Sequence, residues 1–243
     1  MIAVDIGNTS ISLALFSGKD IRGFLKLPTK EKNSFKLKNF LSANPKEDIL
    51  VCSVVPRVTT SLKKIKRKVL VVGEDVFVPI KCAYVRDKVG MDRLVGAFAA
   101  RKLFPSVRFI LDFGTALTLE FLSLKGEYQG GIILPGIGST LKTLSECALL
   151  PQKIEFKHVR KRIPKNTTES INKGIEEGFP LMVNSLIKKY RRELNLNPRE
   201  KAVVTGGDAV LISSRFDFPY SYEPFLVLKG LNILYSLKNS DQL

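Results

Sequence analysis

Ala3-Val4-Asp5-Ile6-Gly7-Asn8-Thr9-Ser10-Ile11-Ser12-Leu13-Ala14-Leu15-Phe16 and Ile110-Leu111-Asp112-Phe113-Gly114-Thr115-Ala116-Leu117-Thr118-Leu119-Glu120-Phe121 are two versions of one pattern. Each reads as an apolar strand, a tight turn opening Asp-x-Gly, and a second strand that alternates in and out. The aspartates and glycines superpose directly. If the second copy lacks one turn residue, Thr9 falls on Thr115, and Ile11, Leu13 and Leu15 fall on Leu117, Leu119 and Phe121. Two such hairpins imply two related halves, each presenting a carboxylate and a backbone turn, an arrangement suited to a polyphosphate and its metal ion. Gly7 lets the backbone turn tightly and approach a ligand. Asn8, Thr9 and Ser10 add amide and hydroxyl donors to the same concavity. Asp5, at the end of a buried strand, can hold Mg²⁺ directly or through water. A lone Asp-x-Gly-Asn turn reads equally well as a structural hairpin; the second copy favours phosphate binding.

The bulk composition fits a soluble enzyme. A chain of 243 residues, 44% hydrophobic, can bury a core as one large or two small domains. It has no run of roughly 18 apolar residues, so no membrane span is expected. Asp5 interrupts the first apolar stretch and no basic region precedes it, which argues against a secretory signal. Cys52, Cys82 and Cys147 are scattered, as for reduced thiols in a cytoplasmic protein. The 39 basic residues outnumber the 23 acidic ones, for a net charge of +16, concentrated at 26–38, 63–68, 157–165 and 188–192. Such a surface favours anions in general. The runs carry no interleaved aromatics and no helix-turn-helix or zinc-finger pattern, so they read as solvated faces and a nucleic-acid partner is disfavoured. His158 is the single histidine, which excludes a site needing two and reads as a loop residue.

Outward from the hairpins the pattern predicts a third strand at 21–27, a helix at 31–41, a strand at 49–53, a helix at 56–66 opened by Pro56, and a strand at 69–72. A helix at 91–104 closes at Pro105. The order then repeats, with strands at 109–111, 116–122 and 130–134 and a helix at 139–149. A helical region at 166–194 breaks near Gly178-Phe179-Pro180, a strand follows at 203–205, and a terminal helix runs over 224–238. Three strands followed by alternating helices and strands, twice over, is an α/β layered pattern. The halves are 1–106 and 107–243.

With those elements in place, Asp5-Ile6-Gly7-Asn8-Thr9, Gly90-Met91-Asp92-Arg93, Asp112-Phe113-Gly114-Thr115, Gly130-Gly131-Ile132-Ile133-Leu134-Pro135-Gly136 and Thr205-Gly206-Gly207-Asp208 resemble the ordered motif set of type III pantothenate kinases. Asp-x-Gly alone is a weak signal, whereas five motifs in order over nearly the whole chain are specific. The resemblance implies the actin, hexokinase and Hsp70 superfamily. Its fold is two ribonuclease-H-like (actin-like) domains, each a mixed sheet begun by three antiparallel strands with flanking helices. It implies ATP-dependent phosphorylation of pantothenate, the first step towards coenzyme A, by a cytoplasmic homodimer with the substrate site near its interface.

Carried over residue by residue, the resemblance makes Asp5, Ile6, Gly7, Asn8, Thr9, Ser10, Ile11 and Ser12 the ATP phosphate loop and has Thr115 touch ATP. Asp112 helps bind a monovalent cation, K⁺ or NH₄⁺, and Asp5 serves the Mg²⁺ or similar divalent ion that accompanies ATP. ATP lies across the cleft between Asp5 and Asp112. Asp92 becomes the proton acceptor for the pantothenate hydroxyl; its other reading is a helix N-cap. Gly90, Met91, Asp92 and Arg93 contact substrate, and Arg93 reads otherwise as a surface salt bridge. Thr167 matches a pantothenate-binding threonine, with Thr168 one residue away and helix capping as the competing role. Tyr84 corresponds to a substrate-contacting tyrosine, across a segment to Gly90 that is short by family standards. Asp112 also reads as an aspartate bonded to its own turn, and Gly206-Gly207 as a plain strand-to-helix turn or a close pass to the adenine. The glycines at 130–136 end at a helix start and could bind an anion. Two other readings stay open: another small-molecule kinase or phosphohydrolase of the superfamily, and a non-catalytic accessory or transcription-activating relative.

Overall fold

Ile2, Val4 and Ile6 point to one face of the first strand and Ala3 to the other, all of them buried, so this strand is covered on both sides. In the computed structural model, which describes all residues except 33, 86–87, 148–150, 152–153, 161, 198 and 241–243, it is β1 (Ile2–Ile6). There follow β2 (Ser10–Ser17), β3 (Asp20–Pro28), α1 (Phe35–Ser42), β4 (Ile49–Ser53), α2 (Pro56–Lys63), β5 (Val69–Val71) and α3 (Met91–Leu103). The second series is β6 (Phe109–Phe113), β7 (Ala116–Leu122), β8 (Tyr128–Pro135), α4 (Ile137–Ser145), α5 (Thr167–Glu193), β9 (Ala202–Thr205), α6 (Ala209–Ile212), β10 (Tyr220–Tyr222) and α7 (Leu226–Asn239).

Two five-stranded sheets result, ordered β3-β2-β1-β4-β5 and β10-β9-β6-β7-β8. Read from opposite edges they have the same strand order. In the first, β1 pairs antiparallel with β2 and parallel with β4; in the second, β6 pairs antiparallel with β7 and parallel with β9. The duplication read from the two hairpins therefore extends to whole sheets, and the fold class is the expected one.

In the first sheet Ile2, Val4, Ile6, Ile49 and Val51 pack with Leu37 and Leu41 of α1 and Val58 and Leu62 of α2. The opposite face packs against α3 and α7, where buried Leu228, Leu231 and Leu234 complete the layer. In the second sheet Phe109, Leu111 and Phe113 of β6 and Leu117, Leu119 and Phe121 of β7 pack with Ile137 and Leu141 of α4 and Ile175, Val183 and Ile187 of α5. Among the described residues no helix is long and apolar enough to cross a membrane.

Several elements differ from expectation. The α5 helix runs unbroken through Pro180; that residue is buried, and core packing of Ile175, Val183 and Ile187 before and after it holds a helix that local propensity would interrupt. The α4 helix starts at Ile137, two residues before the expected 139, with Gly136 as its N-cap, and the predicted end of that helix at 148–149 lies outside the described residues. The short α6 and β10 were not expected, since four and three residues carry no periodicity to read. The compact units are Met1–Pro105 with Leu122–Gly130 and Phe225–Leu243, and Ser106–Phe121 with Gly131–Pro224. A single cut at 106/107 follows chain order, whereas the packing returns the terminal helix to the first unit because α7 lies on α3, β1 and β4.

Candidate functional site

The two turns differ by one residue, as the alignment of the copies requires. In the first, Asp5 lies opposite Ser12 and Ile6 opposite Ile11, and the Gly7 N–H donates to Ser10 O at 2.9 Å. In the second, Asp112 lies opposite Thr118 and Phe113 opposite Leu117, and the Gly114 N–H donates to Ala116 O at 3.1 Å. Ile6 and Ile11 are buried, Asp5, Ser10 and Ser12 half-buried, and Asn8 and Thr9 exposed. The exposed tip is thus polar, while the flanking isoleucines anchor the core. Thr29, which no motif singled out, braces this tip: its N–H donates to Thr9 O at 2.9 Å and its Oγ1 to Gly7 O at 2.7 Å.

The start of α3 lies against the end of this sheet. The Val54 N–H donates to Ile6 O at 3.0 Å. A Cβ placed on Gly90 would lie 3.8 Å from Val54 Cγ1 and 2.5 Å from Asp92 Oδ1, so glycine is what lets the Asp92 carboxylate fold back there. Gly90 is the N-cap and Asp92 the second helical residue, which sets aside the capping role for Asp92. Its Oδ1 accepts the N–H of Arg93 at 2.9 Å. Burial, then the charges of Asp5 and Asp92, push the Cys52 thiol well above its ordinary value, since Cys52 sits opposite Asp5 on β4. Both carboxylates therefore act on one buried point. Met91, Asp92 and Arg93 are half-buried, and the Arg93 guanidinium lies 5.9 Å from the centre of the buried Tyr128 ring. Tyr84 is 45% exposed and lies against Gly130, where a Cβ would come within 3.2 Å of its ring. Tyr128 and Gly130 share one side of their strand, so Tyr84 and Arg93 border the same segment. Of the residues between Tyr84 and Gly90, 86–87 lie outside the described residues.

The second turn is wrapped by glycines. Asp112 pairs with Thr205 across β6 and β9, and Gly206 follows at φ +90°, a conformation that L side chains rarely adopt. A Cβ there would sit 2.5 Å from Asp112 Oδ1 and from the Phe113 backbone. A Cβ on Gly136 would strike the carbonyl oxygens of Gly114 and Thr115. Thr115, exposed at the tip, has its carbonyl held by the Gly136 N–H at 3.0 Å and the Ser139 hydroxyl at 2.6 Å. Gly136 of the glycine-rich stretch thus serves close packing around the Asp112 turn. Asp208 adds a tie that the motif did not reveal: its N–H donates to Phe113 O at 3.1 Å, and its Oδ2 accepts the Gly138 N–H at 3.3 Å at the start of α4. That carboxylate already occupies the helix start read as an anion site.

Thr167 is the first residue of α5, but the cap is Asn166, whose side chain accepts the Glu169 N–H at 2.9 Å. Thr167 and Thr168 are both exposed. Asp5 to Ser12, Tyr84 and Gly90 to Arg93 belong to the first unit; Asp112, Thr115 and Thr167 belong to the second. His158 is no bare loop residue: its Nδ1 lies 3.2 Å from Glu176 Oε1. Part of the basic run at 63–68 is spent internally. Arg67 donates to the carbonyls of Leu41, Asn44 and Glu47, Lys68 pairs with Asp48 at 2.9 Å, and Lys63 pairs with Glu74.

Comparison with known proteins gives the chain a family. The type III pantothenate kinase model matches residues 1–189. A type III pantothenate kinase of Persephonella marina is 33% identical, over 97% of this chain and 98% of that protein. One from Dehalococcoides mccartyi is 34% identical, over 98% and 95%. Among solved structures, a Campylobacter jejuni protein described as a Baf family transcriptional activator matches with a TM-score of 0.66 at 21% identity, over 100% of both chains. Component A of Acidaminococcus fermentans (R)-2-hydroxyglutaryl-CoA dehydratase matches at 0.57 and 15%, over 99% of this chain and 98% of that one. These two likenesses show the fold, an α/β architecture of two like five-stranded sheets. With the family model covering most of its length and relatives above 30% identity end to end, the chain belongs to the type III pantothenate kinases.

Proposed function

We propose that this chain transfers the γ-phosphoryl group of ATP to the primary hydroxyl of pantothenate, the first step towards coenzyme A, with Asp92 as proton acceptor. Family membership carries the overall reaction. The observation that supports Asp92 is the convergence, within one unit, of the Asp5 turn and the start of α3 through Ile6, Val54 and Gly90. A phosphate-holding turn and a carboxylate are then close enough for both aspartates to act on Cys52.

The residues fit a divalent ion that arrives with the nucleotide. Among the described residues no group of three or more His, Cys, Asp and Glu gathers to hold a metal on protein ligands alone. Mg²⁺ is usually held by one or two carboxylates together with substrate phosphates and water, a role open to Asp5 at its strand end. When bound, the ion neutralises charge on the phosphates. Asp112 would hold K⁺ or NH₄⁺, and Thr115 would touch ATP.

In the transfer, Asp92 takes the proton of the substrate hydroxyl as its oxygen bonds to the γ-phosphorus and the bond to the bridging oxygen of ADP breaks. Such a step asks for positioning more than for a strong base, which suits a carboxylate fixed by the Arg93 N–H. Arg93 pairs with phosphoryl charge or with the carboxylate of pantothenate. Gly90, Met91, Tyr84 and Thr167 complete the substrate contacts, in a cytoplasmic homodimer.

The test is ADP release with and without pantothenate, in K⁺ and in Na⁺, for the wild type and Asp92→Asn. Turnover should require pantothenate, rise in K⁺, and fall about 10²-fold or more in the variant, with the circular dichroism and melting curve unchanged. Turnover indifferent to pantothenate refutes the substrate. Equal rates in the two salts refute the cation role of Asp112, and an active variant refutes Asp92 as acceptor. Light scattering after size-exclusion chromatography should give twice the chain mass of 27.1 kDa.

A further inference from the structure

An open cavity of about 620 Å³ lies in the first unit, lined by Phe77, Pro79, Ile80, Lys81, Cys82, Arg101, Lys125 and Glu127. It is separate from the Asp92 end of α3. Arg101 stands eight residues beyond Arg93 on the same helix, roughly 12 Å along its axis at 1.5 Å per residue.

The lining sets three cations against one carboxylate. Lys81 reaches Glu127 at only 3.8 Å, and among the described residues neither Arg101 nor Lys125 has an acidic partner. Arg101 also packs its stem on a turn. Gly126, at φ +74°, closes the turn that joins β7 to β8, and a Cβ there would lie 2.7 Å from Arg101 Nε and 2.9 Å from its Cδ. The bare glycine lets the stem of the exposed Arg101 lie flat on the turn. The Gly126 N–H donates to Ser123 O, and the Ser123 hydroxyl accepts the Glu127 N–H, which stiffens the same turn. Beside these cations Phe77 is 61% exposed, and Pro79 and Ile80 continue an apolar wall.

A volume in the range of small-molecule sites, an apolar wall and a few converging charged groups make a ligand pocket. We propose that this cavity binds an organic anion of about nucleotide size, its phosphate or carboxylate on Arg101 and Lys125 and its planar or apolar body on Phe77 and Ile80. The site is additional to those for ATP and pantothenate.

Cys82 lines the cavity and reports on it. Cys52 is buried and Cys147 exposed, so a Cys147→Ser protein leaves Cys82 as the accessible thiol for iodoacetamide. The probes are 8-anilino-1-naphthalenesulfonate, its uncharged analogue N-phenyl-1-naphthylamine, and inorganic pyrophosphate. The sulfonate should slow Cys82 alkylation at least fivefold, and pyrophosphate should displace it. The uncharged analogue should bind at least tenfold more weakly. Arg101→Ala with Lys125→Ala should remove both protection and displacement while the melting temperature and kinase turnover are kept. Equal binding of the charged and uncharged probes, or protection that survives the double substitution, overturns the proposal. So does alkylation that slows with protein concentration alone, since a second copy would then be what covers the cavity.

Discussion

Glu176 shows how a single residue can be structural where its surroundings look functional. Its side chain is 3% exposed and faces His158, Lys173 and Arg215. Burial alone would raise its carboxyl. The N–H of Val159 at 3.2 Å, His158, and the charges of Arg215 and Lys173 outweigh burial and hold it below the ordinary glutamate value. A carboxyl lowered by folding contributes stability that is fully present above its unfolded value and lost as pH falls through its folded one. The melting temperature should therefore drop as pH falls below about 4.5, more steeply in the wild type than in Glu176→Gln. At pH 7 the variant should be about 1–3 kcal/mol less stable by urea unfolding, because Arg215 is half exposed and water can replace its partner. His158 read from sequence as a residue without catalytic work, and the structure gives it a structural partner. That partner lies eighteen positions away on a helix, and no local pattern announces a contact at that separation.

At the level of elements, the hairpins were the most legible part of the chain. Alternation of Ile11, Leu13 and Leu15, matched by Leu117, Leu119 and Phe121, specifies register by itself, because a slip of one residue would turn the apolar set to the wrong face. The missing residue in the second turn was readable for the same reason. The role of the glycines was not. Gly206 and Gly136 looked like ligand-binding or turn residues, whereas their necessity comes from the Asp112 turn that they touch, a fact of tertiary packing. Gly206→Ala should cost about 2–4 kcal/mol in urea unfolding, combining a strained backbone with displacement of Asp112. If Asp112 holds the monovalent cation, the same variant should lose K⁺ stimulation before it loses basal turnover. The α5 helix was misread at Pro180 for the complementary reason: a local breaker was overruled by the core packing of the residues before and after it. Thr29, and the tie that Asp208 makes, went unread because both act through hydrogen bonds to a neighbouring turn.

Across the whole molecule, the repeated element order carried the fold, and the position of the terminal helix was the part that sequence order concealed. Nothing in the apolar spacing of α7 distinguishes packing on the first sheet from packing on the second. The choice is made by shape, with Gly230 lying so close to α3 that a Cβ would meet Val95 Cγ1 at 2.8 Å and Ala99 Cβ at 2.9 Å. Leu231→Ala should lower stability by about 2–5 kcal/mol, and it should do so in the unit that contains Asp5 and Asp92. Limited proteolysis of the variant should therefore cut first within residues 1–105. The high positive charge, by contrast, remains a surface property, partly spent on Glu74, Asp48 and backbone carbonyls.

The return of α7 also sets the order of assembly on the ribosome. The first hundred or so residues emerge with one sheet face covered by α3 alone, since Leu228, Leu231 and Leu234 of α7 have yet to be translated. All of the second unit leaves the exit tunnel before them, so the later-made half can close while the earlier-made half waits. A nascent chain stalled before residue 225 would leave the α7-facing part of β1, around Ala3, uncovered, a natural target for a holding chaperone. Vectorial synthesis thus makes the docking of α7 a late step in folding the first unit.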